Sequence, residues 1–472
     1  MMDEPEITST PEKQPVSFGE AIRDRRNLVL IALAGLGLIL FGVLFANSFS
    51  DSGQQLLPAI KDLGRGFSQL DQAGIDTLEH RQVFGDQEIL APGYQLLWAI
   101  FLGLGIWGWM LVERSFRNAD PTIEISLRRS AIFGLGFVLY VVIGFDLTHP
   151  SSFTAGGTLP IPGFDAAWNS PAPNLLLESL TPLLIVSVIA GYAVVGVRTR
   201  FLLTLSAVLV LILYPVFASW LWDDGWLAQM KRTSPRSFPT DMAGAGVIHL
   251  LCGVIGIAVL AGCRWSAHEP LPREKMRPER AFSAILGLIL IQFAFIALIG
   301  NSVREASGIR IAEALLQGTV AATAGGLVTG IARIRIQIRP LSHTLLFGTM
   351  GGWVIVSGGV GGFEIWQCAV LGVIAGVVVM TGLALLDTME LRDPFALVPI
   401  HFGCGAIGFM AACWSRWEPP NLILQLVGMI AIIVPALLIS TVLVWIFVRK
   451  NRLSKRDPEM PVVEPINSAI SD

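Results

Sequence analysis

The stretches Ala245-Gly-Val-Ile-His249-Leu-Leu-Cys252-Gly253 and Val398-Pro-Ile-His401-Phe-Gly-Cys404-Gly405 decide the fold of this chain. Both read His-x-x-Cys-Gly, both lie in apolar runs, and their histidines stand 152 residues apart. An ionisable side chain inside a bilayer is costly, so each of these histidines is a functional hypothesis by default. The repeated context favours a shared role over two unrelated core histidines.

Twelve apolar stretches of the chain are long enough to cross a bilayer, which takes about 20 residues. Of the 472 residues, 53% are apolar and 15% are charged, whereas a soluble domain has about 25% charged residues. We therefore predict an all-α polytopic membrane protein. The stretches run over 28–48, 92–113, 131–148, 173–196, 201–221, 241–263, 281–300, 311–332, 341–359, 365–387, 395–414 and 421–448.

The two histidines fall five stretches apart, His249 in the sixth and His401 in the eleventh. This spacing predicts a five-plus-five inverted repeat, whose matching helices meet near the midplane of the membrane. An extra N-terminal membrane helix at 28–48 precedes that core.

The distribution of Lys and Arg predicts the orientation of the chain. With the N-terminus in the cytoplasm, 24 of the 33 Lys and Arg lie on the cytoplasmic side, which favours both termini inside a plasma (inner) membrane. The alternative is that 28–48 is a cleaved signal sequence. The net charge of −3 gives no case for nucleic-acid binding. The predicted units are a cytoplasmic segment 1–27, the anchor 28–48, an extracytoplasmic segment 49–91, a transmembrane domain 92–448 and a cytoplasmic tail 449–472.

Two neutral imidazoles at the midplane could donate and accept hydrogen bonds in a line and could relay a proton. One alternative is that His249 and His401 are ordinary buried histidines. Another is a zinc site in which Cys252 and Cys404 complete the ligand set, although no carboxylate is at hand beside these histidines and cysteines. We predict no metal and no cofactor.

Two more residues stand at the outer side of the first histidine span. Asp241 begins that span, where a carboxylate can cap the helix N-terminus or orient backbone carbonyls toward a cation. Trp222 closes the preceding span. An indole there is either an interfacial anchor or an aromatic face that attracts a cation.

These residues resemble the motifs of the ammonium transporter family, over about residues 92–448. Asp241-Met-Ala-Gly-Ala-Gly-Val-Ile-His249 is similar to the family pattern Asp-Phe-Ala-Gly-Gly-x-Val-Val-His. Asp393-Pro394 followed by His401-Phe-Gly-Cys-Gly resembles the second pore motif. The resemblance implies that His249 and His401 are twin pore histidines, and that Trp222 lies at an outer site that recruits a cation.

The resemblance also predicts where the chain departs from its family. The two stacked pore phenylalanines of the family fall near Leu183 and at Phe295, so only the second is aromatic here. Gln292-Phe-Ala-Phe295 is a degraded copy of the family's Trp-Phe-Gly-Phe-Asn. The recruitment-site serine falls near Ile299, and a small gap in the alignment would place it at Ser302. The second-repeat counterpart of Asp241 falls at Ala396.

The function that the resemblance implies is ammonium transport by a homotrimer in the lipid bilayer. Ammonium is expected to bind at Trp222, Asp241 and Ser302, and ammonia to pass Leu183, Phe295 and the two histidines. One alternative is a non-transporting ammonium receptor. Another is a channel for a different small neutral or weakly basic molecule. No nucleophile–base pair, P-loop or metal cluster in the sequence supports an enzyme.

Overall fold

The structure is a computed structural model that describes most of the predicted transmembrane domain. The predicted segments 1–27 and 28–48 lie outside the described residues, as do 49–86 and 451–472, so the predictions made for them stay predictions. The described residues are 87–115, 122–154, 158–230, 239–266, 278–303, 308–335, 341–389, 391, 393–415 and 422–450.

The described part of the chain is almost entirely helical. The α-helices are α1 (Gln87–Ser115), α2 (Thr122–Leu139), α3 (Phe145–Thr148), α4 (Ala166–Asn169), α5 (Ala172–Ala190), α6 (Thr199–Val208), α7 (Tyr214–Trp222), α8 (Trp226–Gln229), α9 (Leu251–Ser266), α10 (Pro278–Ser302), α11 (Gly308–Arg335), α12 (Leu341–Val356), α13 (Ile365–Thr388), α14 (Gly405–Ala411) and α15 (Leu422–Arg449). Two strands, β1 (Ser152–Thr154) and β2 (Leu159–Ile161), pair as an antiparallel hairpin.

Wider π-helical turns join several of these helices into longer segments. They are Tyr140–Gly144, Leu209–Leu213, Ala245–Leu250 and Val398–Cys404, and turns of 3-10 helix follow at Gly191–Val195 and Ala412–Trp414. A π turn inserts an extra residue into a helix and is frequent at functional sites. Two of these turns hold the predicted pore histidines.

Nine helical segments within the described residues are long and apolar enough to cross a membrane. Two shorter apolar segments accompany them, His343–Val356 and Val398–Trp414. The chain is therefore an all-α polytopic membrane protein, as the sequence predicts. In the order of these segments His249 lies in the fifth and His401 in the tenth, so the spacing of five is kept.

Small residues allow α1 and α10 to approach each other closely, as is common between membrane helices. A methyl group at Gly105 would overlap Ala294, and one at Gly108 would lie 2.6 Å from the carbonyl oxygen of Gly287. This packing brings Trp109 of α1 and Phe295 of α10 to the same cavity.

Candidate functional site

The two predicted pore histidines are in direct contact. Nδ1 of His249 lies 3.1 Å from Nδ1 of His401, and the ring centroids are 5.2 Å apart with the planes at 26°. Both side chains are buried. Two imidazoles 152 residues apart in the sequence thus form one hydrogen-bonded pair inside the helix bundle.

This contact determines what the pair offers to a ligand. A neutral imidazole has one N–H donor and one acceptor nitrogen, so one Nδ1 donates and the other accepts. The donor ring then has an acceptor at Nε2, and the acceptor ring has its N–H at Nε2. Neither Nε2 has a hydrogen-bond partner among the described residues. The pair can therefore accept one hydrogen bond from a small polar molecule and donate another.

The histidine pair lines a narrow cavity whose other walls are almost wholly apolar. A full positive charge there would lose its hydration without compensation, whereas a small neutral amine would lose far less. The lining residues are Trp109, Leu184, Ile185, Val188, Ile248, His249, Cys252, Ile291, Ala294, Phe295 and His401.

Each histidine follows a break in its membrane segment, and an aspartate caps each break. Oδ2 of Asp241 accepts hydrogen bonds from the backbone N–H of Gly246 (3.0 Å) and of Val247 (2.9 Å). Oδ2 of Asp393 accepts one from Val398 at 2.7 Å. Each carboxylate satisfies N–H groups that a helix start leaves without an intrahelical partner.

The counterpart of Asp241 in the second repeat is therefore Asp393, and the prediction of Ala396 was wrong by three residues. Ala396 instead matches Gly244. Both have left-handed backbone, with φ of 53° at Ala396 and 87° at Gly244. The sequence already indicates the match of the two aspartates, because Asp241 and Asp393 each stand eight residues before their histidine.

At the end of the bundle that is predicted to face outward, the structure brings two predicted site residues together. Nε1 of Trp222 donates a hydrogen bond to the carbonyl oxygen of Asp241 at 2.7 Å. The Trp222 side chain is 41% exposed, so part of its ring is open to a ligand. Ser302 ends α10, and its hydroxyl donates to the carbonyl of Ile299 at 2.8 Å. No hydrogen bond between described residues links Ser302 to Trp222 or Asp241.

The two predicted gate residues have different outcomes. The ring of Phe295 lies in the cavity, 5.6 Å from the ring of His249. Leu183 does not line the cavity, because its side chain faces α2. A methyl group at Gly136 would lie 2.8 Å from Leu183 Cδ2. The next residue, Leu184, lines the cavity instead, since successive helical residues point about 100° apart.

Two tryptophans of the site were missed by reasoning from the sequence. Trp109 lines the cavity with its ring 6.5 Å from that of His401. The ring of Trp353, in α12, stacks on Phe295 at 6.0 Å and 10°. A usable signal existed for Trp109, because tryptophan in membrane segments concentrates at the interfaces and Trp109 lies inside the segment Gly93–Ser115. Trp353 stands close to the end of the segment His343–Val356, where a tryptophan is expected as an interfacial anchor.

A buried ionic cluster joins α1, α2 and α5 and was also missed. Glu113 forms ion pairs with Arg128 and Arg129. Nη1 of Arg129 also donates to the carbonyl of Ser187 at 3.1 Å. Ionisable residues within a membrane segment are the signal that could have drawn attention to Glu113. The cluster fixes the relative positions of two helices that wall the cavity.

A second charged cluster lies beside Trp222. Nε2 of His149 is 2.5 Å from Glu178 Oε2, and Nδ1 is 3.3 Å from Asp223 Oδ2. Burial alone lowers the pKa of His149, but the hydrogen bonds to the two carboxylates outweigh it and raise the pKa to about 9. His149 is therefore an imidazolium near neutral pH, because each ring nitrogen needs a proton to donate to its carboxylate.

Among the residues that the structure describes, no group of three or more His, Cys, Asp or Glu could hold a metal ion. The alternative of a zinc site therefore has no ligand set in this part of the chain. The Nδ1 atoms of the two histidines bind each other. The Cys404 thiol points to the carbonyl of Ala375, with its sulfur 3.8 Å from that oxygen.

Taken together, the capped breaks and the buried histidine pair define a polytopic helical membrane protein with two similar halves that meet at one internal cavity. The model of the Ammonium Transporter Family matches residues 94–457. The chain belongs to this family.

Relatives and solved structures agree with that membership. The chain is 25% identical over 333 residues to ammonium transporter Amt2 of Archaeoglobus fulgidus, an alignment that covers 67% of this chain and 70% of Amt2. Its fold is similar to that of a solved sensor Amt protein, with a TM-score of 0.69 and 18% identity over 79% of this chain and 96% of the other. It is also similar to Saccharomyces cerevisiae Mep2, with a TM-score of 0.63 and 17% identity over 78% and 88% of the two chains.

Proposed function

We propose that this protein conducts ammonia across a plasma (inner) membrane after binding ammonium at its outer side. The observation that carries the proposal is the buried contact between the Nδ1 atoms of His249 and His401 in an apolar cavity. Membership of the Ammonium Transporter Family supports it, as does the similarity to Amt2, which is named an ammonium transporter.

The cost of burying charge determines the order of steps. Ammonium would have to leave its hydration shell to enter the apolar cavity as a cation. We propose that it first gives up one proton at the outer side, which leaves neutral ammonia. Ammonia accepts a hydrogen bond from the Nε2–H of one histidine and donates one to the bare Nε2 of the other. It takes up a proton again on the cytoplasmic side.

We place the outer site at Trp222 and Asp241. The exposed part of the indole offers its electron-rich face to a cation, while its N–H holds the Asp241 carbonyl in place. Ser302 remains the predicted third member of this site. In the pore, Phe295 keeps its predicted role, and Leu184 takes the place of Leu183 because it lines the cavity.

We further propose a homotrimer in which each subunit has its own pore, with both termini in the cytoplasm. Trimer formation itself follows from the family resemblance, and cross-linking in membranes tests it.

The test is an ammonium pulse applied to proteoliposomes that contain the full chain, with internal pH and current recorded together. We expect flux in the wild type and its loss in His249→Ala and in His401→Ala. His343→Ala is the matched control, because His343 is also a buried histidine but is not among the residues that line the cavity. Wild-type flux in both pore variants would contradict the assignment of the histidine pair.

A second candidate is an ammonium receptor that does not transport. The similarity in fold to a sensor Amt protein supports it, as does an aliphatic residue in place of one gate phenylalanine. Quenching of tryptophan fluorescence by ammonium, lost in Trp222→Phe and unaccompanied by flux, would favour this candidate. Flux of amines larger than ammonia would instead favour a channel for another weakly basic molecule.

A further inference from the structure

Four aromatic rings from two helices and two π turns form a continuous row through the centre of the protein. Trp353 stacks on Phe295 with centroids 6.0 Å apart and planes at 10°. Phe295 lies 5.6 Å from His249 at 31°, and His249 lies 5.2 Å from His401 at 26°. Phe295 therefore lies next to the rings of both Trp353 and His249. Separations of this size are those of favourable aromatic pairs.

Trp353 is held from two sides. Its indole N–H donates to Oε1 of Gln292, which lies on α10 one turn before Phe295. A methyl group at Gly318 of α11 would overlap the six-membered part of the indole ring, so the ring rests directly against the α11 backbone. The side chain is only 3% exposed. A buried indole whose N–H is satisfied and whose face is packed has little freedom to move.

The contact explains two departures of the sequence from its family. Gln292 stands where the family motif has tryptophan, and in this chain Gln292 accepts a hydrogen bond from a tryptophan of α12. On α5 no aromatic side chain faces Phe295, because Leu184 lines the cavity there. The ring that stacks on Phe295 thus comes from α12 rather than from α5.

Resting on the proposed function, we infer that Trp353 is a positioning residue that holds Phe295 beside His249 and so limits the size of the amine that reaches the histidine pair. Phe295 cannot rotate aside for a larger substrate without breaking its stack on Trp353. Without Trp353, Phe295 gains a side into which it can swing. The expected consequence is weaker discrimination against a substrate that is one methyl group larger than ammonium.

The experiment compares initial rates of methylammonium and ammonium uptake by the full chain in proteoliposomes. Trp353→Leu is expected to raise the methylammonium-to-ammonium ratio about tenfold, the low end of what a fitted pocket gains by excluding one carbon. Trp353→Phe keeps a ring on Phe295 and is expected to restore most of the discrimination. Gln292→Leu removes the acceptor of the indole N–H and is expected to give an intermediate ratio.

Trp98→Leu is the matched control, since Trp98 is a buried tryptophan that packs on Gly300 and does not line the cavity. Its ratio is expected to equal that of the wild type. An unchanged ratio in Trp353→Leu, or an equal rise in Trp98→Leu, overturns the inference. If Trp353→Leu does not fold, an unchanged ratio in Gln292→Leu overturns it.

Failure of the proposed function is distinguishable from failure of this inference. If the wild type shows no flux that depends on His249, the proposed function is overturned and the inference falls with it. If the wild type conducts and the variants keep its substrate ratio, only the role of Trp353 is overturned.

Discussion

The two helix breaks before the pore histidines share one backbone geometry but form it with different residues. In both, an aspartate eight residues before the histidine caps the π turn, and a left-handed residue lies three positions after that aspartate. The first break uses Gly244 and the second uses Ala396. The comparison teaches that the geometry requires left-handed backbone at this position, while glycine is only the easiest way to obtain it.

The breaks also differ in what surrounds them. Around the first, Trp222 binds the carbonyl of Asp241, and the N–H of Ala243 donates to the carbonyl of Ser357 at 2.8 Å. The second contains Pro399, which has no N–H to satisfy. Both breaks start a helix whose positive end lies near the histidine cavity. Variants at matched positions can separate the contribution of the shared geometry to stability from the contribution of the residues around each break.

The largest effect is expected from removing the cap of the first break. Asp241→Ala leaves the N–H groups of Gly246 and Val247 buried without their acceptor, at about 1–3 kcal/mol for each group. Asp241→Asn keeps an acceptor oxygen and should lose less. Thermal unfolding in detergent measures both variants. Equal stability of Asp241→Ala and Asp241→Asn would contradict the capping role.

Asp393→Ala applies the same test to the second break, through the N–H of Val398. We expect a clear loss of stability here too, because the two carboxylates occupy matching positions. A loss confined to Asp241 would show that the caps are alike in geometry but not in energy.

Reasoning from the sequence predicted the fold and the histidine pair, but it did not predict which other side chains line the cavity. Apolar runs, the Lys and Arg bias and the repeated His-x-x-Cys-Gly depend only on composition and spacing, and these survive divergence. The direction in which the Leu183 side chain points depends on the rotation of α5 about its axis, because successive residues of a helix are about 100° apart. The stack of Trp353 on Phe295 joins helices distant in sequence, and no local pattern encodes it.

A smaller but still marked effect is expected from Gly244→Ala. A Cβ atom at Gly244 would lie 2.5 Å from Cδ1 of Ile248, on backbone with φ of 87°. Left-handed backbone costs a residue with a side chain about 1–2 kcal/mol, and the displaced Ile248 adds to that. Unfolding midpoints in detergent should fall well below the wild type.

Gly134→Ala is the control for this substitution. Gly134 lies in α2, and a Cβ there would meet nothing within 4 Å. It should be neutral or slightly stabilising, since alanine favours a helix more than glycine does. If both variants lose the same stability, the loss does not come from the left-handed position.

The fourth prediction concerns the ion pairs of His149 beside the first break. His149 binds Asp223, the residue after Trp222, and its pKa is raised from 6.5 to about 9. A raised pKa means that protonated His149 stabilises the folded state fully below pH 6.5, and that this stabilisation is lost as the pH rises through 9. The effect should be modest, because the three groups are partly exposed and water screens them.

The measurement is the stability difference between the wild type and His149→Gln as a function of pH. We expect the gap to be widest at about pH 6 and to close by about pH 10. Other groups titrate alike in both proteins and cancel in the difference. A gap that does not depend on pH would assign the role of His149 to packing rather than to charge.

The smallest effect is expected from Ala396→Gly, the exchange opposite to Gly244→Ala. Glycine relieves the left-handed strain at Ala396, by about 1–2 kcal/mol. Glycine also raises the conformational entropy of the unfolded chain, which lowers stability by about 0.5–1 kcal/mol. The loss of a fully buried methyl group lowers stability by about 0.8 kcal/mol more. These terms nearly cancel, so the unfolding midpoint should stay close to that of the wild type.

Because both positions have positive φ, the strain is common to the two exchanges. The difference between them therefore measures the space around each Cβ atom, which Ile248 fills at the first break. A large loss in Ala396→Gly would mean that the methyl group itself holds the second break in place.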